Sequence, residues 1–216
     1  MRLPLDPDAT ELSAYGMGLT SVYGVESLRK LRVLNLAENA LVELPPLSGL
    51  TGLHTLDLGH NRLTSVPRLP DISGYLYLHD NALPALPDSL CDLSRLRYLN
   101  VSANPIHALP ARIGDLRGLL ELRAERCRLT TLPPSIGRLD ALQELALRDN
   151  AIAELPATIG ELTSLRRLDL RNNGMRSLPT SLAELPHLDK LDLRWNPHLK
   201  APWLSALERR GCVVWR

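Results

Sequence analysis

The side chains of this chain that are best suited to chemistry are three cysteines and six histidines. A cysteine thiolate can act as a nucleophile, and a histidine can act as a base or a metal ligand. The cysteines are Cys91, Cys127 and Cys212, and the histidines are His54, His60, His79, His107, His187 and His198. Their spacing matches no metal site, and the sequence has no phosphate loop, zinc-peptidase motif or nucleophilic-serine motif. We therefore predict no catalytic residue, no cofactor and no metal site.

Composition argues against several further classes of protein. The 216 residues carry 25 basic and 24 acidic side chains, for a formal net charge of +1. This balance argues against nucleic acid or an anionic membrane surface as the partner. The sequence lacks the run of about 18 apolar residues that a transmembrane helix needs, and residues 1–10 lack the apolar core of a secretory signal. We expect a cytoplasmic protein without a disulfide framework, with non-classical secretion as an effector left open.

A repeat of 20 to 23 residues runs through the chain. Each unit has one slot that is occupied, in chain order, by Met17, Asn39, Asn61, Asn81, Asn104, Cys127, Asn150, Asn173 and Asn196. Apolar residues stand five and three positions before the slot, and proline stands six positions after it in eight of the nine units. The repeat accounts for most of the 50 leucines in a chain that has no phenylalanine.

The alternation before each slot predicts the element that positions the polar residues. In Leu34-Asn35-Leu36 it is that of a short strand with one buried face. One unit is too small to bury its own leucines, so about nine strands should stack in parallel, roughly 4.8 Å apart. The asparagine amide should satisfy backbone groups where the chain leaves the strand. Cys127 has only a weak S–H donor, so its turn should be less stable by about 0.5–1.5 kcal/mol.

These features resemble the leucine-rich repeat family. Residues 31–45 and 165–179 follow its pattern L-x-x-L-x-L-x-x-N-x-L-x-x-L-P. Three segments are similar to the Ras-suppressor and Scribble type, which is also common in bacterial proteins: Ile113-Gly114-Asp115-Leu116, Ile136-Gly137-Arg138-Leu139 and Ile159-Gly160-Glu161-Leu162. The resemblance covers about residues 10–200 and departs from the pattern at Met17, Tyr23 and His198. It implies an α/β solenoid, a curved horseshoe segment with parallel strands on its concave face, and a role in recognising partners.

The sequence also predicts the convex side and the boundaries. Ile-Gly-x-Leu should begin a short helical or 3-10 turn, whereas residues 68–73 are too few for one and should be extended, with a local change of curvature. We expect a single domain over residues 1–216, with a degenerate first unit at about 10–27, regular repeats at about 28–200 and a C-terminal cap at 201–216. In the cap, residues 202–210 should form a helix that stops at Gly211, and residues 212–215 a last strand. The thin N-terminal unit predicts weak self-association through that end.

Residues that alternate with the strand leucines should face the concave side, and some of them are aromatic. Tyr75, Tyr77 and Tyr98 fall in neighbouring strands, with His60 and His79 beside them. Tyrosine combines a large rigid area with a polar group, which suits the centre of an interface. We interpret Tyr75, Tyr77, His79 and Tyr98 as partner-binding residues. The alternative is that tyrosine simply suits a half-exposed strand.

A second stretch of the concave face is rich in arginine. It consists of Arg123, Arg126, Arg148, Arg167, Arg171, Arg194 and Trp195. Arginine can bind carboxylate or phosphate through two parallel hydrogen bonds, so Arg123, Arg148, Arg171, Arg194 and Trp195 are also candidate partner-binding residues. The neighbouring carboxylates are Glu121, Glu144, Asp149, Asp169 and Asp192. They favour the alternative of a self-paired surface lattice, in which each pair contributes under about 1 kcal/mol.

We therefore expect a non-enzymatic protein–protein interaction module that binds a protein partner on its concave face. A second hypothesis is the substrate-recognition arm of a separate enzyme, or a bacterial effector that acts on ubiquitin-pathway or small-GTPase proteins of a host. The cysteines do not support an enzyme, because Cys91 falls on the convex side, Cys127 replaces an asparagine and Cys212 belongs to the cap.

Overall fold

The computed structural model describes residues 6–216, and the structural statements below concern that part of the chain. Residues 1–5, on which the expectation about a secretory signal partly rests, lie outside it. The chain forms one parallel sheet whose ten strands are paired in chain order. The strands are β1 (Glu11–Ser13), β2 (Val33–Asn35), β3 (Thr55–Asp57), β4 (Tyr75–Tyr77), β5 (Tyr98–Asn100), β6 (Glu121–Arg123), β7 (Glu144–Ala146), β8 (Arg167–Asp169), β9 (Lys190–Asp192) and β10 (Val213–Trp215). The predicted solenoid is confirmed.

The tenth strand comes from the C-terminal cap. Helix α1 (Leu204–Arg209) ends before Gly211, which has a φ of 91°. A positive φ is costly for other residues, so glycine suits this reversal. The chain then enters β10, where Val214 lies opposite Leu191 of β9. The predicted cap therefore extends the sheet by one strand. No helix of residues 6–216 is long and apolar enough to cross a membrane.

The central residue of each strand points into the core. Leu34, Leu56 and Leu76 lie opposite one another in register and are fully buried. Side chains alternate across a strand, so the residues on either side of each leucine point to the concave surface. One continuous apolar cluster runs from Ala14 to Cys212. The core is thus the same under every part of the concave surface.

The asparagine slots form a ladder of hydrogen bonds along the solenoid. The amide nitrogen of Asn61 donates to the carbonyls of Leu58 and Gly59 in its own repeat and to that of Leu36 in the preceding one. Its amide oxygen accepts the backbone N–H of Leu41 at 3.0 Å. The same arrangement occurs at Asn39, Asn81, Asn104, Asn150, Asn173 and Asn196. Each of these asparagines therefore joins two neighbouring repeats, as the sequence predicted.

Cys127 interrupts this ladder. Its thiol lies 3.5 Å from the carbonyl oxygen of Val101 and 3.6 Å from that of Glu125, both weak contacts. The backbone N–H of Ile106, which would meet the amide oxygen of an asparagine here, donates no hydrogen bond to any described residue. The structure thus gives a physical reason for the looser turn that the sequence predicted.

The residue before each ladder position adopts a left-handed backbone. Eight of them are not glycine and have φ values from 49° to 62°: Glu38, His60, Asp80, Ala103, Arg126, Asp149, Asn172 and Trp195. This conformation is costly for residues with a Cβ atom, and the surrounding hydrogen bonds must hold it. In this position the side chain stands at the rim of the concave surface.

The convex side changes character along the chain. Single 3-10 turns occupy Val25–Ser27, Asp88–Asp92, Ile113–Asp115, Pro134–Arg138, Ala157–Glu161 and Thr180–Glu184. The turns predicted from Ile-Gly-x-Leu are confirmed, and glycine is needed because a Cβ atom at Gly137 would overlap the carbonyl oxygen of Thr158 in the next repeat.

The chain between β3 and β4 has no helical or 3-10 turn, as predicted for residues 68–73, and residues 36–54 also connect β2 to β3 without one. The sequence did not predict this second segment. Only the segment between β3 and β4 leads into a strand with tyrosines, since residues 36–54 lead into β3. The change of curvature stays a prediction.

Candidate functional site

One part of the concave surface is a continuous group of aromatic rings, which we call the aromatic patch: Tyr75, Tyr77, Tyr98, His54, His60 and His79. The ring centroids of Tyr77 and Tyr98 are 5.0 Å apart, and those of Tyr75 and Tyr98 are 6.0 Å apart. The Tyr75 and Tyr77 rings are nearly parallel, with 11° between their planes and 6.5 Å between their centroids. The structure therefore brings together the three tyrosines that the sequence singled out.

The histidines extend the patch on both sides. His79 lies 6.2 Å from Tyr77 and 4.8 Å from His60, and His54 lies 5.5 Å from Tyr75. A Cβ atom at Gly59 would overlap the His79 ring, and one at Gly74 would overlap the His54 ring. His54 precedes β3, outside the alternating positions, so the repeat pattern did not predict its place in the patch. The glycine one repeat later was the available signal.

Burial keeps two tyrosines and one histidine of the aromatic patch uncharged. It raises the pKa of Tyr98 to about 12 and, together with the charge of Asp57, raises the pKa of Tyr77. Burial and the neighbouring His60 ring lower the pKa of His79. Both phenols and the His79 imidazole are thus uncharged in neutral solution. His60 instead contacts a carboxylate, with its Nδ1 atom 2.6 Å from Oδ2 of Asp80.

The second part of the concave surface is a lattice of arginines and carboxylates on β6 to β9 and the residues after them. We call it the arginine patch: Arg123, Arg148, Arg167, Arg171 and Arg194 with their acidic partners. The ion pairs are Arg123 with Glu121 and Glu144, Arg148 with Glu125 and Asp149, Arg167 with Glu144, Arg171 with Asp169 and Asp192, and Arg194 with Asp192. The candidate arginines are thus all paired within the chain, as the alternative interpretation expected.

Asp192 is the most buried carboxylate of the arginine patch. Its side chain is 3% exposed and accepts hydrogen bonds from Nε and Nη2 of Arg194, at 2.9 and 2.7 Å. Burial acts to raise the pKa of Asp192, but the hydrogen bonds and charges of Arg194 and Arg171 outweigh it, so the pKa is lowered. Asp192 therefore stays ionised and holds two guanidinium groups in place.

Trp215 belongs to the arginine patch, although sequence analysis placed it only in the cap. Lys190 Nζ lies 3.7 Å from the centroid of the Trp215 ring, and Cζ of Arg194 lies 4.5 Å from it. Trp215 stands 23 residues after Asp192, so the repeat spacing carried the signal. Ala146 is the small residue of the patch, and around it lies a depression of about 280 Å³ lined by four of the arginines.

Trp195 stands apart from both patches. It is 64% exposed and lines an open apolar groove of about 730 Å³ at the C-terminal end, with Pro197, Leu199, Pro202 and Leu204. Arg194 connects this groove to the arginine patch, because its Cζ atom lies 5.5 Å from the centroid of the Trp195 ring. The candidate partner-binding residues therefore fall into two patches and one separate tryptophan.

Neither metal nor thiol chemistry finds support in residues 6–216. They contain no group of three or more histidine, cysteine or acidic side chains placed to hold a metal ion. Cys91, Cys127 and Cys212 are all buried. Burial raises the pKa of Cys91 to about 11, so its thiol is protonated in neutral solution and is a poor nucleophile.

Comparison with known proteins identifies the repeat. A family model described as leucine-rich repeat matches residues 140–197, and a model of two leucine-rich repeat copies matches residues 11–71. Receptor-like protein 1 of Arabidopsis thaliana is 41% identical over an alignment of 88 positions, which covers 37% of this chain and 8% of that protein.

Solved structures resemble the whole solenoid. A leucine-rich repeat protein of Leptospira interrogans is 31% identical, with a TM-score of 0.81 over 90% of this chain and 52% of that one. The leucine-rich repeat domain of the type III effector XopL is 26% identical, with a TM-score of 0.81 over 97% of this chain and 77% of that one. A chain in an octameric complex of Latrophilin 3, Unc5D and the leucine-rich repeat region of FLRT2 is 29% identical. Its TM-score is 0.69, over 79% of this chain and 55% of that one.

This chain spans about half the length of the first and the last of these three structures. The family models match residues 11–71 and 140–197, and the parallel sheet and the asparagine ladder continue through the residues between them. The chain belongs to the leucine-rich repeat family.

Proposed function

We propose that this chain is a non-enzymatic protein–protein interaction module that binds a protein partner on its concave face, centred on the aromatic patch. The observation that carries the proposal is the ring cluster of Tyr75, Tyr77 and Tyr98, which lies on the concave sheet. Tyr75 is 42% exposed. Grouped tyrosines on a rigid surface are typical of interface centres, because little conformational entropy is lost when they are covered.

The arginine patch has a different role in this proposal. Its arginines are paired with carboxylates of the chain, so a partner would have to displace those carboxylates to form ion pairs. We assign it to the rim, where charges affect the association rate and the choice of partner more than affinity. A partner covering both patches would bury about 800 Å² on this side, a standard interface.

Similar proteins whose complexes or roles are named support the proposal. Leucine-rich repeat domains are in general interaction modules, and FLRT2 occurs in a complex with two other proteins. The likeness to the repeat domain of a type III effector favours a second candidate, the recognition arm of an effector or of a separate enzyme. Co-purification with a catalytic protein would support this candidate, and partners without enzymatic activity would oppose it.

The test is affinity capture with matched variants. Wild-type protein, the triple variant Tyr75→Ala, Tyr77→Ala, Tyr98→Ala and the control variant Tyr23→Ala are used as bait in extracts of the native cell. Tyr23 is 76% exposed and belongs to neither patch. We expect the triple variant to lose partners that both other baits retain, with unchanged circular dichroism. Equal capture by all three baits would show that the proposed face is wrong.

Self-association through the N-terminal end stays a prediction. Glu11 and Ser13 of the edge strand β1 are exposed, and their outer backbone groups have no neighbouring strand among the described residues. Sedimentation at rising concentration tests it, and a constant monomer mass would rule it out.

A further inference from the structure

The aromatic patch lies in a part of the concave surface whose own charged residues are acidic, with Arg123 of β6 at its border beside Tyr98. The concave positions of the first five repeats contain Glu11, Glu38, Asp57 and Asp80, and neither lysine nor arginine. The concave positions of the last four repeats, in contrast, contain seven basic residues beside their carboxylates: the five arginines of the arginine patch, Arg126 and Lys190. The two halves of one sheet therefore offer different electrostatic environments to a partner.

Asp57 is the carboxylate next to the tyrosines. It lies directly opposite Tyr77 in the register of β3 and β4, on the same face. Its Oδ1 atom accepts the backbone N–H of Gly59 at 3.0 Å. Its Oδ2 atom has no hydrogen-bond or ion-pair partner among residues 6–216. Asp57 thus keeps an acceptor available beside the Tyr77 ring.

The same chain shows how these two kinds of group bind a cation together. Arg194 donates hydrogen bonds to Asp192 and at the same time lies 4.5 Å from the centroid of the Trp215 ring. One guanidinium group therefore pairs with a carboxylate and stacks on a neighbouring aromatic ring. In the aromatic patch the carboxylate and the rings are present, but no cation of residues 6–216 lies over a tyrosine ring.

We propose, building on the proposed function, that Tyr75, Tyr77 and Tyr98 form an aromatic cage that, together with Asp57, binds an arginine side chain of the protein partner. The guanidinium stacks on the tyrosine rings and donates to Oδ2 of Asp57. Its charge is complementary to the acidic concave positions of the first five repeats. Because Tyr77, Tyr98 and His79 are uncharged in neutral solution, these three groups do not repel the guanidinium.

The experiment titrates the full chain with a short peptide, acetyl-Gly-Arg-Gly-amide, and follows the assigned ring protons of the tyrosines by NMR. The matched peptide carries citrulline, which has nearly the shape of arginine but no charge. We expect saturable shifts at Tyr75, Tyr77 and Tyr98, and binding of the citrulline peptide at least about threefold weaker. Equal affinity for the two peptides, or shifts confined to Trp215, would overturn the cage.

Three variants separate the parts of the site. Asp57→Asn keeps the Oδ1 acceptor for Gly59 and removes the charge, so we expect the preference for arginine over citrulline to fall at least about twofold. Tyr77→Leu should weaken arginine binding, while Tyr77→Phe retains the ring and should preserve it. Tyr23→Leu is the control that should change nothing. Unchanged binding by both Asp57→Asn and Tyr77→Leu would contradict the assignment.

The outcome distinguishes this inference from the proposed function. If the triple tyrosine variant loses its partner while arginine and citrulline bind equally, the concave interface stands and the arginine cage is wrong. If a trimethyl-lysine peptide binds more tightly than the arginine peptide, the cage accepts cations but its assignment to arginine is wrong.

Discussion

The aromatic patch and the arginine patch lie on the same sheet, above the same leucine core, but their side chains satisfy one another to different degrees. In the arginine patch each guanidinium has a carboxylate partner, and Lys190 and Arg194 lie over the Trp215 ring, which is still 40% exposed. In the aromatic patch Tyr75 is exposed to a similar extent, 42%, but no cation of the described residues lies over its ring, and Asp57 has no ion-pair partner among them. A surface that has already formed its own pairs has less to gain from a partner. The comparison therefore favours the aromatic patch for recognition and the arginine patch for stability.

The largest expected effect tests whether the two patches share one core. Leu76 lies below the aromatic patch and Leu168 below the arginine patch, and they are 0% and 1% exposed. We expect Leu76→Ala and Leu168→Ala each to lower the free energy of unfolding by about 3 kcal/mol. Urea denaturation measures both. A much smaller loss at one leucine would show that the core is looser under that patch.

Neutralising a carboxylate of the arginine patch should cost more stability than neutralising the carboxylate beside the aromatic patch. Asp192→Asn leaves Arg171 and Arg194 without their shared anion and should cost about 2 kcal/mol of stability, whereas Asp57→Asn should cost under about 0.5 kcal/mol. Thermal unfolding measures the difference. Equal losses would contradict the view that only the arginine patch is self-paired.

The pH dependence of stability follows from the lowered pKa of Asp192. Its ordinary pKa is about 3.9, so its contribution is fully present above that value and is lost as the pH falls through the lower pKa of the folded state. We expect acid to destabilise the wild type more than Asp192→Asn. Parallel acid-unfolding curves for the two proteins would show that this carboxylate does not contribute.

A smaller effect is expected at Cys127, which follows β6, where the two patches meet. Cys127→Asn restores an acceptor for the N–H of Ile106 and strong donors for the carbonyls of Val101 and Glu125, so we expect a gain of about 1 kcal/mol. The reverse change, Asn104→Cys, should lose at least as much. Chemical denaturation compares them, and a destabilised Cys127→Asn would mean that the turn has adapted to the thiol.

The smallest expected effect concerns an exposed ion pair. Arg167 lies 2.6 Å from Glu144, but its side chain is 62% exposed. We expect a double-mutant cycle of Arg167→Ala and Glu144→Ala to give under about 1 kcal/mol of coupling, and less in high salt. A larger coupling that salt does not reduce would make the lattice a stronger source of stability than its exposure indicates.

Most of the fold could be predicted from the sequence because the repeat encodes it locally. Within one unit, the sequence is enough to predict the buried strand leucine, the asparagine at the turn and the 3-10 turn at Ile-Gly-x-Leu. The connection over residues 36–54 was missed because its leucines stand at the usual positions, although its unit, with 22 residues from Asn39 to Asn61, is one residue shorter than the later units.

The site was predictable in its residues but not in its pairing. Alternation placed Tyr75, Tyr77 and Tyr98 on one face, yet only the structure shows that their rings contact one another. Whether Arg148 pairs with Glu125 or stays free depends on rotamers, which repeat spacing does not determine. His54 depends on the space left by a glycine in the next repeat. These are interactions between units, so no single unit contains the information.

The asparagine ladder also determines how this surface can change in length. Each asparagine bonds only its own repeat and the one before it, and five successive steps from Asn81 to Asn196 are each 23 residues long. Inserting or deleting a whole unit in this half would leave every remaining bond in register, whereas one extra residue in a unit would shift its asparagine out of place. Duplication of a 23-residue segment can therefore lengthen the binding face by one strand, about 4.8 Å, without altering the aromatic patch.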